Sequence, residues 1–260
     1  MNAPALAPAR LALRNITLRY GDLDVLDDIS LTVRPGEFVS IIGPSGAGKS
    51  TVLKVLTGAA KPERGSIDFD GNSLDQTERP FAFMGQRDAL MPWRSILDNV
   101  TLGLEVRGEA RAAARRRVAP LFDAFGLSGF ERHYPSALSG GMRQRAAFMR
   151  TVVQDCRMLL LDEPLGALDA LTRNRMQLWL EDMWLRHRWT VMLVTHDIRE
   201  AVMLSDRIYV LSQRPARIAH VIDVPLPRPR LRDAALRTEA AAIEGVILDL
   251  MFSPSQGQLP

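Results

Sequence analysis

Residues 43–50 of this chain read Gly43-Pro44-Ser45-Gly46-Ala47-Gly48-Lys49-Ser50. The stretch fits the phosphate-loop pattern G-x-x-x-x-G-K-[ST], and it stands between the apolar run Phe38–Ile42 and a helical pattern over residues 51–57. Its glycines allow the backbone to fold around an anion, and the helix that follows presents its positive N-terminal end to that anion. We therefore expect the loop and Thr51 to bind a nucleoside triphosphate, with Lys49 at the terminal phosphates and Ser50 on Mg²⁺.

Length and composition are those of one large α/β domain. The chain has 260 residues, 47% of them hydrophobic, and a formal net charge of +3. Because the arginines are spread along the chain, nucleic-acid binding is allowed but not required by the charge. Cys156 has no second cysteine to pair with, which suits a reducing compartment. Residues 1–10 lack the apolar region of a secretory signal, and no apolar run approaches the ~20 residues of a membrane span. A cytosolic protein is expected.

Hydrophobic periodicity predicts the elements around the loop. Strands are predicted at residues 16–20, 29–33, Phe38–Ile42, 67–69, 158–161, 191–194 and Arg207–Leu211. Helices are predicted at residues 51–57, Ile96–Val106, 109–125, 144–153, 171–186, Ile198–Leu204 and 234–251. Strands alternate with helices in the second half of the chain, which predicts a parallel sheet. Between about residues 89 and 155 helical patterns dominate, so we expect a helical subdomain inserted into the nucleotide fold.

Two carboxylates and a histidine follow predicted strands. Asp162 and Glu163 follow residues 158–161, and His196 follows residues 191–194. Open α/β sheets bind their ligands at the carboxyl ends of strands. We therefore expect Asp162 to hold Mg²⁺ through water, Glu163 to polarise the attacking water and His196 to donate to the γ-phosphate. Because neighbours on a strand point to opposite faces, the two carboxylates are not expected to share one role. The plain alternatives are a solvated strand end and a helix cap.

A second candidate anion site is the Ser-Gly-Gly loop, Leu138-Ser139-Gly140-Gly141-Met142. Taken alone it is a flexible loop with an N-cap residue. It also precedes a predicted helix, whose N-terminal end attracts anions. One nucleotide cannot easily use this loop and the phosphate loop of the same polypeptide. We therefore expect a head-to-tail pair of chains in which each loop completes the site of the other chain.

Together these motifs resemble those of the ATP-binding-cassette (ABC) transporter ATPases over about residues 11–219. The order and spacing of the following elements carry the resemblance: the phosphate loop, Gln86, residues 138–142, residues 159–163, Ala167-Leu168-Asp169 and His196. The resemblance implies an α/β fold, namely a P-loop NTPase (RecA-like) parallel-sheet core with an N-terminal antiparallel β subdomain and an inserted α-helical subdomain. It implies an ATP-binding domain over residues 1–220 and a carboxyl-terminal strap and helix over residues 221–260.

The same resemblance implies roles for individual residues, with ATP and Mg²⁺ as cofactors. Tyr20 would stack on adenine, although a core aromatic is the alternative at that position. Gln86 would contact Mg²⁺ and water and relay the nucleotide state to a membrane subunit. Residues 139–141 would contact the γ-phosphate of ATP held by the opposite chain, and Asp169 would cross the dimer interface. The implied catalytic set is Glu163 as the base, His196 as the switch, Gln86 and Lys49.

Within that family, residues 86–93 resemble importers for nitrate, sulfonates, taurine and pyrimidine precursors of thiamine, and residues 213–218 and 225–230 resemble their carboxyl ends. Residues 145–151 and 176–180 are most similar to the hydroxymethylpyrimidine-type members. The implied partners are a second copy of the chain, transmembrane permease subunits and, indirectly, a periplasmic or lipid-anchored solute-binding protein, with no nucleic acid. The implied location is the cytoplasmic face of the membrane, as a peripheral subunit.

Two alternative functions stand beside this interpretation, and two features of the sequence allow more than one assignment. A soluble ABC ATPase acting on ribosomes or DNA usually carries tandem cassettes or a long coiled-coil insertion, which this chain lacks. A small-molecule kinase would leave the Ser-Gly-Gly loop without a purpose. The arginines between residues 111 and 117 are interpreted as the solvated face of a helix rather than a nucleic-acid or lipid site. Trp93 would either line a groove for a membrane-subunit helix or belong to the core.

Overall fold

The computed structural model describes residues 9–74, 80–166 and 168–252. The chain divides into two compact units, the first formed by residues 1–79 with 181–260 and the second by residues 80–180. Ala167 of the Ala-Leu-Asp motif and both ends of the chain lie outside the described residues.

Strands and helices follow in this chain order. The strands are β1 (Leu11–Tyr20), β2 (Leu23–Val33), β3 (Phe38–Ile42), β4 (Arg64–Phe69), β5 (Asn72–Ser73), β6 (Phe81–Met84), β7 (Met158–Asp162), β8 (Thr190–Val194), β9 (Arg207–Leu211) and β10 (Ile218–Asp223). The helices are α1 (Lys49–Thr57), α2 (Ile96–Val106), α3 (Arg111–Val118), α4 (Leu121–Ala124), α5 (Gly140–Val152), α6 (Ala170–His187), α7 (Ile198–Leu204) and α8 (Leu236–Phe252).

The first unit contains an antiparallel sheet in the order β2-β1-β4-β5, with β1 paired to both β2 and β4. Apolar side chains on one face of these strands are fully buried, among them Leu13, Ile29 and Leu31. The alternation of apolar and polar residues produces this one-sided burial, because successive side chains of a strand point to opposite faces. The predicted antiparallel β subdomain is confirmed.

A parallel sheet accompanies it in the same unit. β3 pairs in parallel with β8 and β9, and β10 adds to β9 in antiparallel orientation. Every residue of β3 and β8 is buried, which explains their continuous apolar runs. The core of a parallel-sheet nucleotide fold is therefore confirmed. β10 was not predicted, and it spans the boundary that the sequence analysis placed between residues 220 and 221.

The second unit holds the predicted helical insert and two short parallel strands, β6 and β7. Its core packs Phe125 and Phe148 edge-on against Trp179, with ring centroids 5.0 and 5.2 Å apart. The single helix predicted over residues 109–125 is wrong, since α3 ends at Val118 and α4 begins at Leu121. Pro120 stands between them, and proline lacks the N–H that a continuous helix requires.

Residues 224–232, the strap, and α8 pack on the first unit. Val224 and Leu226 share a hydrophobic cluster with Val202 of α7, Ile208 of β9 and Ile247 of α8. Arg230 of the strap is 1% exposed. The tail is therefore part of the first unit's core.

Candidate nucleotide-binding site

The phosphate loop connects β3 to α1, as predicted. Gly43, Gly46 and Gly48 adopt positive φ angles of 155°, 75° and 114°. A Cβ at Gly43 would lie 3.0 Å from the Cβ and carbonyl oxygen of Leu211, and one at Gly48 would lie 3.0 Å from Leu26 Cδ2. Both space and backbone conformation therefore require glycine at these two positions.

Lys49 begins α1 and is almost fully buried inside the loop. Its Nζ donates hydrogen bonds of 2.9 Å to the carbonyl oxygens of Gly43 and Pro44. The N-cap residue is Gly48, which has no side chain to cap the helix, and the first turn carries no acidic residue. The N-terminal end of α1 therefore directs a positive charge and a positive helix dipole to the same loop, a combination that favours a phosphate.

Two further predicted residues of the first unit lie at the end of a strand or just beyond it. Tyr20 is the last residue of β1 and is 47% exposed, so the alternative of a core aromatic is excluded. His196 is exposed between β8 and α7. The next residue, Asp197, is the N-cap of α7, and its Oδ1 accepts a hydrogen bond of 3.0 Å from the Glu200 N–H.

The second unit contains the two adjacent carboxylates. Asp162 ends β7 and is 8% exposed, whereas Glu163 lies beyond the strand, half-buried, with φ at 46°. The argument that strand alternation separates the two carboxylates does not apply, because Glu163 has left-handed rather than extended backbone. Gln86 is exposed two residues beyond the end of β6.

The Ser-Gly-Gly loop is a capped helix N-terminus, as predicted. Ser139 is exposed, and its Oγ accepts a hydrogen bond of 3.3 Å from the Met142 N–H. α5 therefore begins at Gly140, four residues before the predicted start. A Cβ at Gly141 would lie 2.6 Å from Thr172 Cγ2, so α6 approaches this turn too closely for a side chain.

A groove of about 580 Å³ in the second unit was not predicted as such. Its lining residues are Phe83, Gly85, Arg87, Ala89, Leu102, Gly103, Val106, Arg107, Arg150 and Gln154. Phe83 and Val106 are 46% and 79% exposed, and Arg150 donates hydrogen bonds of 2.7 and 2.6 Å to the carbonyl oxygens of Ala89 and Asp88. Trp93 is 74% exposed, which excludes its assignment to the core. Nothing in the sequence marks the apolar residues of this groove as exposed.

Asp169 is exposed near the start of α6. Its Oδ1 accepts a hydrogen bond of 3.0 Å from the Thr172 N–H, and this contact lowers the pKa of the Asp169 carboxyl. Within the described ranges, no group of three or more His, Cys, Asp or Glu residues could hold a metal ion. The structure thus brings the phosphate loop, Tyr20 and His196 into the first unit, and Gln86, the Ser-Gly-Gly loop and the carboxylates into the second.

Comparison with known proteins decides the family. The ABC transporter family matches residues 26–166, just over half of the chain. The chain belongs to the ABC transporter family. It is 44% identical over 250 residues to the aliphatic sulfonates import ATP-binding protein SsuB 2 of Pseudomonas aeruginosa, covering 96% of this chain and 86% of that protein. It is 41% identical over 258 residues to the SsuB protein of Pectobacterium atrosepticum, covering 99% and 93% of the two chains.

A solved structure shows the same fold. The ATP-binding cassette MJ0796, described as a dimer in a post-hydrolysis state bound to ADP and Pi, has a TM-score of 0.71 and 29% identity, covering 84% of this chain and all of that one. This ABC protein is an ATPase with a P-loop NTPase fold, and its nucleotide is ATP. None of the helices within the described residues is both long enough and apolar enough to cross a bilayer.

Proposed function

We propose that this ABC ATPase is the energy-coupling subunit of an importer for a sulfonate-type anion. The observation that carries the proposal is the 41–44% identity, over nearly the whole chain, to ATP-binding proteins named for the import of aliphatic sulfonates. These relatives support the anion branch of the predicted substrates over the pyrimidine branch. The test is to purify the chain with its permease and solute-binding partners and to identify the bound solute by mass spectrometry. A bound pyrimidine would contradict the assignment.

The first unit binds the triphosphate in this proposal. The backbone N–H groups of the phosphate loop, which Pro44 lacks, hold the phosphates together with the ammonium of Lys49. Thr51 adds a contact just after the loop, and Tyr20 stacks on adenine. Three observations support these roles: the loop backbone at residues 43 and 48 accepts only glycine, Lys49 is buried, and the ring of Tyr20 is exposed. Ser50 would contribute its hydroxyl to Mg²⁺, beside oxygens of the substrate phosphates.

Four further residues are proposed to act in hydrolysis. Glu163 orients and deprotonates the attacking water, His196 donates to the γ-phosphate, and Asp162 and Gln86 contribute oxygens to Mg²⁺. When bound there, Mg²⁺ would supply neutralisation of the charge on the phosphoryl group. Catalysis consists of positioning and charge stabilisation, because phosphoryl transfer to water leaves the protein little covalent chemistry to perform.

Glu163→Gln tests the catalytic assignment. The amide keeps the size of the side chain but cannot accept the proton of water, so ATP turnover should be lost while ATP binding remains. Glu239→Gln, an exposed glutamate of α8, is the matched control and should keep wild-type turnover. Normal phosphate release by the Glu163→Gln variant would remove Glu163 from the mechanism.

Two copies assemble head-to-tail around two ATP molecules, with residues 139–141 of one chain on the γ-phosphate of the other. Two observations support this arrangement: Ser139 is exposed at the N-cap of α5, and the related cassette MJ0796 is dimeric. Glu163→Gln with ATP should elute as a dimer in size-exclusion chromatography with light scattering. Adding Ser139→Arg should return it to a monomer that still binds ATP, because the long, charged arginine side chain blocks the surface that meets the other chain. A dimer that persists in the double variant would refute the arrangement.

The groove of the second unit is proposed as the docking surface for a permease helix at the cytoplasmic face of the membrane. Its exposed apolar residues Phe83 and Val106 support a protein partner. Reconstitution with the permease and the solute-binding protein should make ATP hydrolysis depend on the transported solute. Val106→Glu should remove that dependence and leave basal hydrolysis unchanged. Stimulation by ribosomes or DNA instead would favour the soluble ABC ATPase alternative.

A further inference from the structure

We propose that Thr195 and Glu200 are positioning residues for the hydrolysis step. They hold the peptide bond that follows His196, and so determine where the imidazole is presented. The inference rests on the proposed contact of His196 with the γ-phosphate. Neither Thr195 nor Glu200 was singled out as a site residue from the sequence.

A chain of hydrogen bonds surrounds His196. Thr195, 2% exposed, donates from Oγ1 to Oε2 of Glu200 at 2.5 Å, and Glu200 is 4% exposed. The same hydroxyl accepts a hydrogen bond of 3.1 Å from the Asp197 N–H. Asp197 in turn accepts from the Glu200 N–H at 3.0 Å. The exposed His196 therefore lies between two residues that both bond to Glu200, Thr195 through the carboxylate and Asp197 through the backbone N–H.

The direction of these bonds follows from the chemistry of the groups. A hydroxyl has one proton, and the Glu200 carboxylate is an acceptor that attracts it, so a lone pair of the Thr195 oxygen is left to face the Asp197 N–H. Bonds linked in this way strengthen one another in a low-dielectric interior. The Asp197 N–H belongs to the peptide group that begins at the His196 carbonyl carbon. Holding this N–H therefore restricts the backbone rotation of His196, on which the position of the imidazole depends.

The network is also connected to the phosphate loop within the same unit. The Thr195 N–H donates a hydrogen bond of 3.2 Å to the carbonyl oxygen of Ile41 in β3. β3 leads directly into Gly43 of the phosphate loop. The backbone that carries His196 and the backbone that is proposed to bind the phosphates thus start from paired positions of neighbouring strands. Loss of the Thr195 hydroxyl would loosen the backbone at His196 without altering the backbone of the phosphate loop.

Thr195→Val tests the role, because it keeps the shape of the side chain and removes both hydroxyl bonds. We expect kcat for ATP hydrolysis to fall about five- to tenfold, the effect of one or two lost hydrogen bonds, with KM for ATP within twofold of wild type. Thr195→Ser retains the hydroxyl and should restore most of kcat. If Thr195→Val does not fold, Glu200→Gln, which weakens the same bond by removing the charge, should lower kcat about two- to threefold.

Thr190→Val is the matched control on the same strand. Thr190 is 1% exposed, and its hydroxyl accepts hydrogen bonds of 3.1 Å from Arg10 Nη1 and 2.9 Å from the Gly36 N–H. It begins β8, whereas Thr195 follows the strand's last residue. The control should lower the melting temperature as Thr195→Val does and leave kcat unchanged. Equal losses of kcat in the two variants would overturn the positioning role.

A double-variant cycle with His196→Ala separates this inference from the proposed function. If Thr195 acts through His196, Thr195→Val should cause no further loss of kcat in the His196→Ala background. A further five- to tenfold loss in that background would refute the inference while leaving the role of His196 in place. Wild-type turnover of His196→Ala alone would instead refute the proposed role of His196, and the inference with it.

Discussion

Arg230→Met should destabilise the first unit although it replaces a buried charge by an apolar side chain of similar length. The guanidinium of Arg230 donates hydrogen bonds of 3.0, 2.9, 2.6 and 3.1 Å to the carbonyl oxygens of Leu226, Val202, Ser205 and Val224. Two of these carbonyls lie at the carboxyl-terminal end of α7, where a cation is favoured by the helix dipole. Methionine can replace the packing of the side chain but none of these donors.

The expected size follows from two opposing contributions. Four hydrogen bonds from a charged donor contribute about 6 kcal/mol at the lower end of the usual range. Burial, together with the neighbouring charge of Arg228, lowers the pKa of Arg230 well below its usual value, to about 10, and this shift corresponds to roughly 3 kcal/mol against the charged form. The net loss of folding free energy is therefore about 3 kcal/mol. For a chain of this length, that lowers the melting temperature by roughly 10 °C.

Arg232→Met provides the control for this measurement. Arg232 lies two residues further along the same strap, and its side chain is 60% exposed. Among the described residues, its ion-pair partner is Asp182. An exposed pair of this kind contributes little, so the variant should melt within about 2 °C of wild type. Differential scanning fluorimetry at pH 7 without nucleotide compares the two. Equal shifts of melting temperature in the two variants, or no shift for Arg230→Met, would show that Arg230 does not stabilise the end of α7.

Two further changes test the phosphate loop and the helical unit. Gly43→Ala should abolish ATP binding in a titration with fluorescent ATP, because its Cβ would lie 3.0 Å from Leu211, whereas Gly245→Ala, with open space around it, should bind normally. Asp98→Asn should lower the melting temperature by a few degrees at pH 7. Burial raises the pKa of Asp98, but hydrogen bonds from Arg115, Arg111 and Ser95 outweigh it and hold that pKa below its usual value. The unfolded chain therefore binds the proton first as pH falls, and the difference from wild type should shrink progressively as pH falls below about 4; a constant difference down to pH 3 would contradict this.

Features that depend on neighbours in the chain were predicted correctly. The phosphate loop requires its glycines because of local backbone geometry, and the glycines are visible in the sequence as letters at fixed spacing. The fully buried strands β3 and β8 appear as continuous apolar runs, and Ser139 caps α5 as its residue type favours. Errors arose where the local signal was short or was outweighed. β6 has only four residues, too few for a clear alternation, and the break at Pro120 was outweighed by helical periodicity on both sides.

The sequence by itself determined the family, the nucleotide chemistry and the order of the elements, because each of these depends on residue types that lie close together in the chain. Only the tertiary structure decided that Arg230 is buried at the end of α7, that Trp93 is exposed, and that Thr195 and Glu200 share one hydrogen-bond network. An arginine or a tryptophan carries no local mark of its burial. Its environment depends on which distant segments pack around it, and that packing is settled by the free energy of the whole core rather than by the residues next to it.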